Sequence, residues 1–425
     1  MMAKLLELSK PGPALQGTVA LEGSKSVSNR ALIVLALAGA DPGAWLQNLS
    51  ASKDTGTLQR LLAQRDGDTF DAGDAGTTFR FLTAWLSLQP GTQLLTGSPR
   101  MLERPIGPLV EALRSLGADI EYLGQQGYPP LRIGAPAQLK RQAQVRIDGS
   151  TSSQFLSALL LIGPYLPDGL ELIPTGRLVS KPYLDMTLRL MRHFGASADW
   201  AGDSIRVAPG RYTPRPFRVE ADWSAASYWY ALAAFAEAPD LRLLGLYADS
   251  WQGDAVLADM MRRFGIQTTF EAEGICLQRM APSTKAIFEW NFLECPDIAQ
   301  TLAVVCAGLG VQGLFSGLET LSIKETDRIE ALRQELRKVG VTFSKLPPHL
   351  HPKKPGQTLY LLEGRAQWQA PPQVATWGDH RMAMAFAPLA MFAPLRIEDP
   401  DVVRKSYGSF WRHLADLGFM VVDLG

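Results

Sequence analysis

Eight residues, Gly23-Ser-Lys-Ser-Val-Ser-Asn-Arg30, crowd a glycine, three serines, an asparagine and two cations ahead of the apolar run Ala31–Ala38. A loop of this kind opening a helix presents free backbone N–H groups at a positive dipole end, and Lys25 and Arg30 add full charges, which suits an anion. An ordinary serine N-cap with a few cations is the plainer reading of this segment taken alone. Related clusters recur along the chain: Arg100, Glu103 and Arg104 before Pro105, Ser180-Lys181-Pro182-Tyr183, Lys324-Glu325-Thr326-Asp327-Arg328, Gly378-Asp379-His380-Arg381, and Arg404-Lys405. Cations at a helix N-terminus oppose the helix dipole, and first turns normally carry Asp or Glu. Repetition of the unfavourable arrangement points to a cleft for multiply charged anions, phosphates and carboxylates. A surface salt bridge is the competing reading for any single arginine.

Three residues in or beside such helix entrances have the chemistry to move protons. Glu325 lies beside Lys324 and Arg328, where burial and neighbouring charge can tune a carboxylate as donor or acceptor. Asp297, in Cys295-Pro-Asp-Ile298, reads first as a helix cap and second as a base. His380 is one of five histidines and is flanked by Asp379 and Arg381, which fits an orienting hydrogen bond as well as proton transfer. Thr326 or Asp327 can cap the helix that follows.

Composition removes other classes. Lys plus Arg and Asp plus Glu are both 42 in 425 residues, so the zero net charge offers no general nucleic-acid surface. The chain lacks zinc-ligand spacing, an EF-hand loop, a dinucleotide Gly-x-Gly-x-x-Gly and a Gly-x-Ser-x-Gly elbow, so no metal or cofactor is expected. Thr18 occupies the upstream glycine position of a nucleotide P-loop, and Gly17 is one place off. Cys276, Cys295 and Cys306 form no disulfide framework. Met1-Met2-Ala3-Lys4 turns charged too early for a signal peptide, and no run approaches the roughly 20 apolar residues of a membrane span. A soluble cytoplasmic protein is expected.

The clusters must be held by repeated elements. Apolar helices with polar entrances are predicted over 24–38, 74–88, 150–162, 222–235, 296–309 and 378–391, each buried on most sides. Amphipathic helices follow over 55–64, 105–116, 182–194, 254–264, 326–339 and 407–417. A glycine stops each, at Gly67, Gly117, Gly195, Gly265, Gly340 and Gly418. β-rich runs such as 118–122, 266–270 and 341–343 come next. The pattern is six copies of a strand, buried helix, strand, amphipathic helix, strand unit in layered α/β packing.

Seven segments, in order and spanning nearly the whole chain, resemble the 5-enolpyruvylshikimate-3-phosphate synthases of the enolpyruvyl transferase family. They are Gly-Ser-Lys-Ser-Val-Ser-Asn-Arg-Ala-Leu (23–32), Ala-Gly-Thr (75–77), Pro-Arg-Met-Leu-Glu-Arg-Pro-Ile-Gly (99–107), Ser-Ser-Gln-Phe-Leu (152–156), Ser-Lys-Pro-Tyr (180–183), Lys-Glu-Thr-Asp-Arg (324–328) and Asp-His-Arg-Met-Ala-Met (379–384). The resemblance implies a two-lobed inverse α/β barrel, each lobe three βαβαββ repeats around buried helices. Residues 25–220 would form one lobe and 1–24 plus 221–425 the other, with hinge crossings near 22–26 and 218–224, closing on ligand.

The reaction so implied is transfer of the enolpyruvyl group of phosphoenolpyruvate to the 5-hydroxyl of shikimate 3-phosphate, by addition and elimination of phosphate, without metal or cofactor. Implied phosphoenolpyruvate ligands are Lys25, Gly76, Arg100, Gln154, Arg328, Arg381 and Lys405. Lys25, Ser26, Arg30, Ser152, Ser153, Gln154, Ser180, Tyr183, Asp297 and Lys324 would hold shikimate 3-phosphate. Asp297 would be the base towards the attacking hydroxyl, Lys25 and Glu325 the proton carriers, and His380 would orient Glu325 or its neighbours. The implied protein is a monomer with no nucleic-acid or membrane partner.

Departures from the family pattern are Glu22, Asp74, Phe81, Trp223, Thr320 and Gly378; none removes a catalytic group. Two rivals are set against this reading. The sister transferase acting on UDP-N-acetylglucosamine uses a cysteine in its N-terminal lobe, whereas the first cysteine here is Cys276. A non-catalytic anion-binding or regulatory protein of the same fold would have lost Lys25, Asp297 or Glu325, and all three are present.

Overall fold

Helices with no polar face must be surrounded by protein, and that requirement organises both halves of the chain. Trp223–Phe235, for example, buries every residue except Ser224. The computed structural model describes residues 4–64, 67–136, 138–141, 143–150, 152–281, 287–350 and 357–425. The start of the chain, Met1 to Ala3, lies outside the described residues. The chain divides into two units, one of residues 23–219 and one of 1–22 with 220–425.

In the 23–219 unit the buried helices are Lys25–Leu37, Gly76–Leu86 and Ser153–Ile162, and the more amphipathic ones are Lys53–Leu62, Gly107–Ser115 and Lys181–His193. Thr69–Asp71, Thr92–Thr96, Leu131–Gly134 and Asp119–Tyr122 form one four-stranded sheet in that spatial order; Ala198–Ala201, Ser204–Val207, Leu170–Thr175 and Ala143–Asp148 form another. Each has one parallel pair, Thr69–Asp71 with Thr92–Thr96 and Ala143–Asp148 with Leu170–Thr175. A buried helix connects the partners of each parallel pair, as a crossover requires. The six predicted copies are not equal. Among the described residues, the copy built on Lys25–Leu37 has only the two-stranded parallel pair Leu46–Gln47 and Phe217–Arg218.

The other unit repeats the four-stranded plan three times, around Trp223–Phe235, Ala299–Leu309 and His380–Phe386. Its N-terminal strands complete sheets begun far along the chain. Leu15–Ala20 lies parallel to Pro239–Leu244, and Leu5–Ser9 is sandwiched antiparallel between Leu395–Glu398 and Met420–Asp423. One core joins the three copies, with Trp229, Leu302, Met382 and Leu389 fully buried in it.

Boundaries move by a few residues where capping chemistry decides them. The 296–309 segment begins as a 3-10 turn, Pro296–Ile298, before Ala299–Leu309, and the 378–391 segment ends as one, Ala387–Met391. Asp327 caps Arg328–Lys338 by accepting from Ile329 and Glu330 N–H, both at 3.1 Å, so Thr326 is not the cap. Gly117, Gly195, Gly265, Gly340 and Gly418 all take the left-handed backbone that closes a helix, with φ between 79° and 100°.

Candidate active site

In the 23–219 unit, Lys25 is the first residue of its helix, and Ser24 ahead of it makes no side-chain cap. Lys25 Nζ lies 3.1 Å from Asp54 Oδ2, with both side chains mostly buried. Ahead of Lys25, Gly23 lets the chain pass close to the Asn48 carbonyl oxygen, which a Cβ there would meet at 1.8 Å. Arg30 is 2% exposed. It donates to Thr187 Oγ1 at 2.7 Å, Ser157 Oγ at 3.0 Å and the Ser26 carbonyl at 2.8 Å, beneath the rings of Phe81 and Tyr183. Burial lowers its pKa to about 10. Phe81, a departure from the family pattern, thus packs on this guanidinium.

Ser152 caps Ser153–Ile162 through the Gln154 N–H, and the Gln154 amide donates to Thr77 Oγ1 at 3.0 Å. Ser180 is left-handed, with φ 54°, and its side chain makes no cap bond to the Lys181–His193 helix that it opens.

The two arginines of the Arg100–Arg104 segment differ sharply. Arg100 is half-exposed and paired with Glu103 at 2.9 Å. Arg104 is 8% exposed. Its guanidinium lies against Gly76, the first residue of Gly76–Leu86, so closely that a Cβ on Gly76 would meet Nη1 at 2.6 Å. A buried cation at a helix N-terminus is electrostatically costly until an anion joins it. Arg104, one of the clustered cations but not among the ligands implied by the resemblance, has the buried helix-entrance geometry that half-exposed Arg100 lacks. The missed signal was the glycine that lets a guanidinium approach. Asp74 accepts a short hydrogen bond from Ser98, the cap of Pro99–Leu102.

In the other unit one guanidinium collects three carboxylates. Arg328 Nε donates to Asp379 Oδ2 at 2.6 Å, one NH2 group to Asp297 Oδ1 at 3.1 Å and the other to Glu325 Oε2 at 2.9 Å. Burial alone would lower the Arg328 pKa, but Asp379, Glu325 and Asp297 outweigh it and hold the group above the ordinary arginine value. Arg381 also reaches Asp297, at 3.0 Å to Oδ2 and 3.0 Å to the backbone oxygen. Lys405 Nζ lies 4.0 Å from Glu325 Oε1. Burial pushes the Lys324 pKa down, against the pull of Asp297.

Asp297 is therefore no helix cap: the short turn it belongs to has no side-chain cap, and its carboxylate is spent on two guanidiniums. His380 is buried with Nδ1 3.6 Å from Asp379 Oδ1. Asp379 in turn caps His380–Phe386 through the Arg381 N–H. Four cations, Lys324, Arg328, Arg381 and Lys405, face three carboxylates here. The pattern can bind anions and also hold two carboxylates, Asp297 and Glu325, fixed for proton transfer.

The thiols offer no competing chemistry. Cys276, Cys295 and Cys306 are free and buried, and burial pushes all three thiols up, away from thiolate. Among the described residues no His, Cys, Asp and Glu group has a metal-site arrangement, and no helix is long and apolar enough to cross a membrane.

Comparison with known proteins shows the family. The sequence profile of EPSP synthase (3-phosphoshikimate 1-carboxyvinyltransferase) matches residues 45–414. A 3-phosphoshikimate 1-carboxyvinyltransferase of Bacteroides fragilis strain YCH46 is 45% identical over 415 residues, 97% of each chain. One from Cellvibrio japonicus strain Ueda107 is 37% identical, covering 94% of this chain and 96% of its own. A solved EPSP synthase from Acinetobacter baumannii shares the fold, with a TM-score of 0.75 at 20% identity over 99% of this chain and 100% of its own. With the family profile and full-length relatives in agreement, the chain belongs to the EPSP synthase (3-phosphoshikimate 1-carboxyvinyltransferase) family.

Proposed function

We propose that the chain transfers the enolpyruvyl group of phosphoenolpyruvate to the 5-hydroxyl of shikimate 3-phosphate, a step towards chorismate and the aromatic amino acids. The observation that carries this reading is the shared guanidinium of Arg328, which fixes Asp297 and Glu325 beside further cations. Family membership supplies the substrates.

Asp297 takes the proton of the 5-hydroxyl as its oxygen bonds to C2 of phosphoenolpyruvate, while Lys25 or Glu325 delivers a proton to C3. In the second half C3 returns a proton, the C2–O bond to phosphate breaks, and inorganic phosphate leaves. These are proton transfers around a developing and departing charge, for which a preorganised set of cations is the main catalytic resource. His380, beside Asp379, holds the Arg328 cluster in place.

Arg328, Arg381, Lys405, Lys25, the Gly76 backbone and Gln154 bind phosphoenolpyruvate, with Arg104 in place of Arg100. Shikimate 3-phosphate is held by Lys25, Ser26, Ser152, Ser153, Gln154, Ser180, Tyr183, Asp297 and Lys324. Arg30 joins them, with three of its five N–H donors serving Ser26, Ser157 and Thr187. The protein acts as a cytoplasmic monomer.

The test is phosphate release from the two substrates together, with each alone as control. No release from folded protein with both present refutes the reading.

A further inference from the structure

Glu335 reads in sequence as a surface residue of the charged helix Arg328–Lys338, yet it is fully buried. Its two carboxylate oxygens take separate partners on one segment. Oε2 accepts the Ala375 N–H at 3.0 Å and also pairs with Lys338 Nζ of its own helix at 2.7 Å, and Oε1 accepts the Trp377 indole N–H at 3.0 Å. From the same helix Lys338 donates to the Gln373 carbonyl at 2.9 Å, and Arg328 donates to Asp379 at 2.6 Å. The segment from Gln373 to Asp379 is thus splinted at intervals along one helix.

The backbone inside that splint is unusual. Trp377 takes φ 57° and Gly378 φ 66°, two successive left-handed residues directly ahead of Asp379, His380 and Arg381. A bulky side chain in that conformation costs about 1–2 kcal/mol and persists only where its surroundings hold it. Trp377 is 41% exposed, so apolar burial alone does not hold it. Its indole N–H is held by Glu335.

We propose that Glu335 is a positioning residue: through Ala375 and Trp377 it sets the turn that aims Asp379, His380 and Arg381 into the anion site. This rests on the activity proposed above, because Arg328 and Arg381 are there assigned to phosphoenolpyruvate. Glu335 touches no substrate and acts through the turn.

The experiment compares wild type, Glu335→Gln, Trp377→Phe and the double variant. Phosphate release is measured with each substrate varied in turn, alongside thermal midpoints and amide hydrogen exchange. Gln can accept from only one of the two donors with its carbonyl oxygen. Glu335→Gln is expected to raise the KM for phosphoenolpyruvate about tenfold, as misaimed binding groups do. The KM for shikimate 3-phosphate should stay within about twofold. Trp377→Phe, which leaves the core intact, should shift the same constant in the same direction by less. The double variant should be no worse than Glu335→Gln alone, since both remove one linkage.

A KM for phosphoenolpyruvate unchanged in both single variants overturns the proposal, as does a parallel shift of both KM values that follows the thermal midpoint. Hydrogen exchange reads the linkage without substrate. Faster exchange of the Ala375 amide in Glu335→Gln, with the Arg328–Lys338 helix unchanged, supports the clamp, and unaltered exchange there refutes it. A wild type that releases no phosphate would refute the activity and leave the exchange arm to decide the clamp.

Discussion

Arg328 Nε lies 2.6 Å from Asp379 Oδ2, with the arginine side chain 2% exposed and the aspartate not exposed at all. The bond joins the start of Arg328–Lys338 to the cap of His380–Phe386, so it fixes two cation-bearing helix entrances against each other. Removing one partner of a buried pair typically costs 3–5 kcal/mol, because the other charge is left uncompensated. Asp379→Asn should cost about 3 kcal/mol, the low end, since Asp297 and Glu325 still face the guanidinium. Urea denaturation with an unchanged m-value checks it. Arg328→Lys, which cannot reach three carboxylates from one planar group, should lower kcat/KM more than about a hundredfold.

Lys25 and Asp54 form a second mostly buried pair, at 3.1 Å. If Lys25 is a proton carrier, Asp54 holds its ammonium and acts only through it. Asp54→Asn should then slow turnover by about tenfold, Lys25→Ala by more, and the double variant no more than Lys25→Ala. Steady-state rates of the three variants decide this, and additive losses would give Asp54 a separate role.

Arg104 and Arg100 can be told apart by the same assay. Arg104→Ala removes a buried guanidinium from the entrance of Gly76–Leu86 and should raise the KM for phosphoenolpyruvate about a hundredfold. Arg100→Ala loses an exposed ion pair of about 0–1 kcal/mol and should change it by less than about threefold. Equal effects would return Arg100 to the site.

How far the sequence reveals this protein depends on whether a property is local. The buried helices are legible because a segment such as Trp223–Phe235 is apolar around its whole circumference. Their glycine stops are legible because a left-handed residue is a local demand. The reduced first sheet is not, since Leu46–Gln47 pairs with Phe217–Arg218 from the far end of the unit. In the site, residue types are visible but partners are not. Asp54 sits unremarkably in Lys53-Asp54-Thr55, Glu335 resembles its solvated neighbours, and the choice between Arg100 and Arg104 turns on Gly76, far away in the chain. Charge pairing across a fold is tertiary information.

Glu325 shares Arg328 with Asp297 and lies 4.0 Å from Lys405 Nζ, a position fixed for proton exchange. Glu325→Gln keeps the shape and removes the exchangeable charge. Turnover should fall by about two to four orders of magnitude, the usual range for a general acid–base group, with shikimate 3-phosphate binding largely intact. Unchanged turnover would remove Glu325 from proton transfer.

Asp254 supplies the pH prediction. It is 4% exposed, accepts a short bond from the Ser224 hydroxyl, and its Oδ1 has no hydrogen-bond partner among the described residues. Burial first, then the charge of Asp297, raises its pKa from 3.8 to about 7, with Asp222 adding and Arg381 and the Ser224 bond opposing. A carboxyl whose folded pKa lies above its unfolded value binds more protons when folded, so stability falls as pH rises from about 4 to 7 and levels off beyond. The full shift is worth up to about 4 kcal/mol. Asp254→Asn, which cannot ionise, should be more stable than wild type at pH 8, by about 1–2 kcal/mol after the cost of a buried amide, and should lose that advantage near pH 4. Denaturation at both pH values measures the difference. An advantage that is equal at the two, or larger at pH 4, would mean that Asp254 is ionised in the folded protein throughout, and its carboxylate would then join Asp297 as a second negative charge facing Arg381.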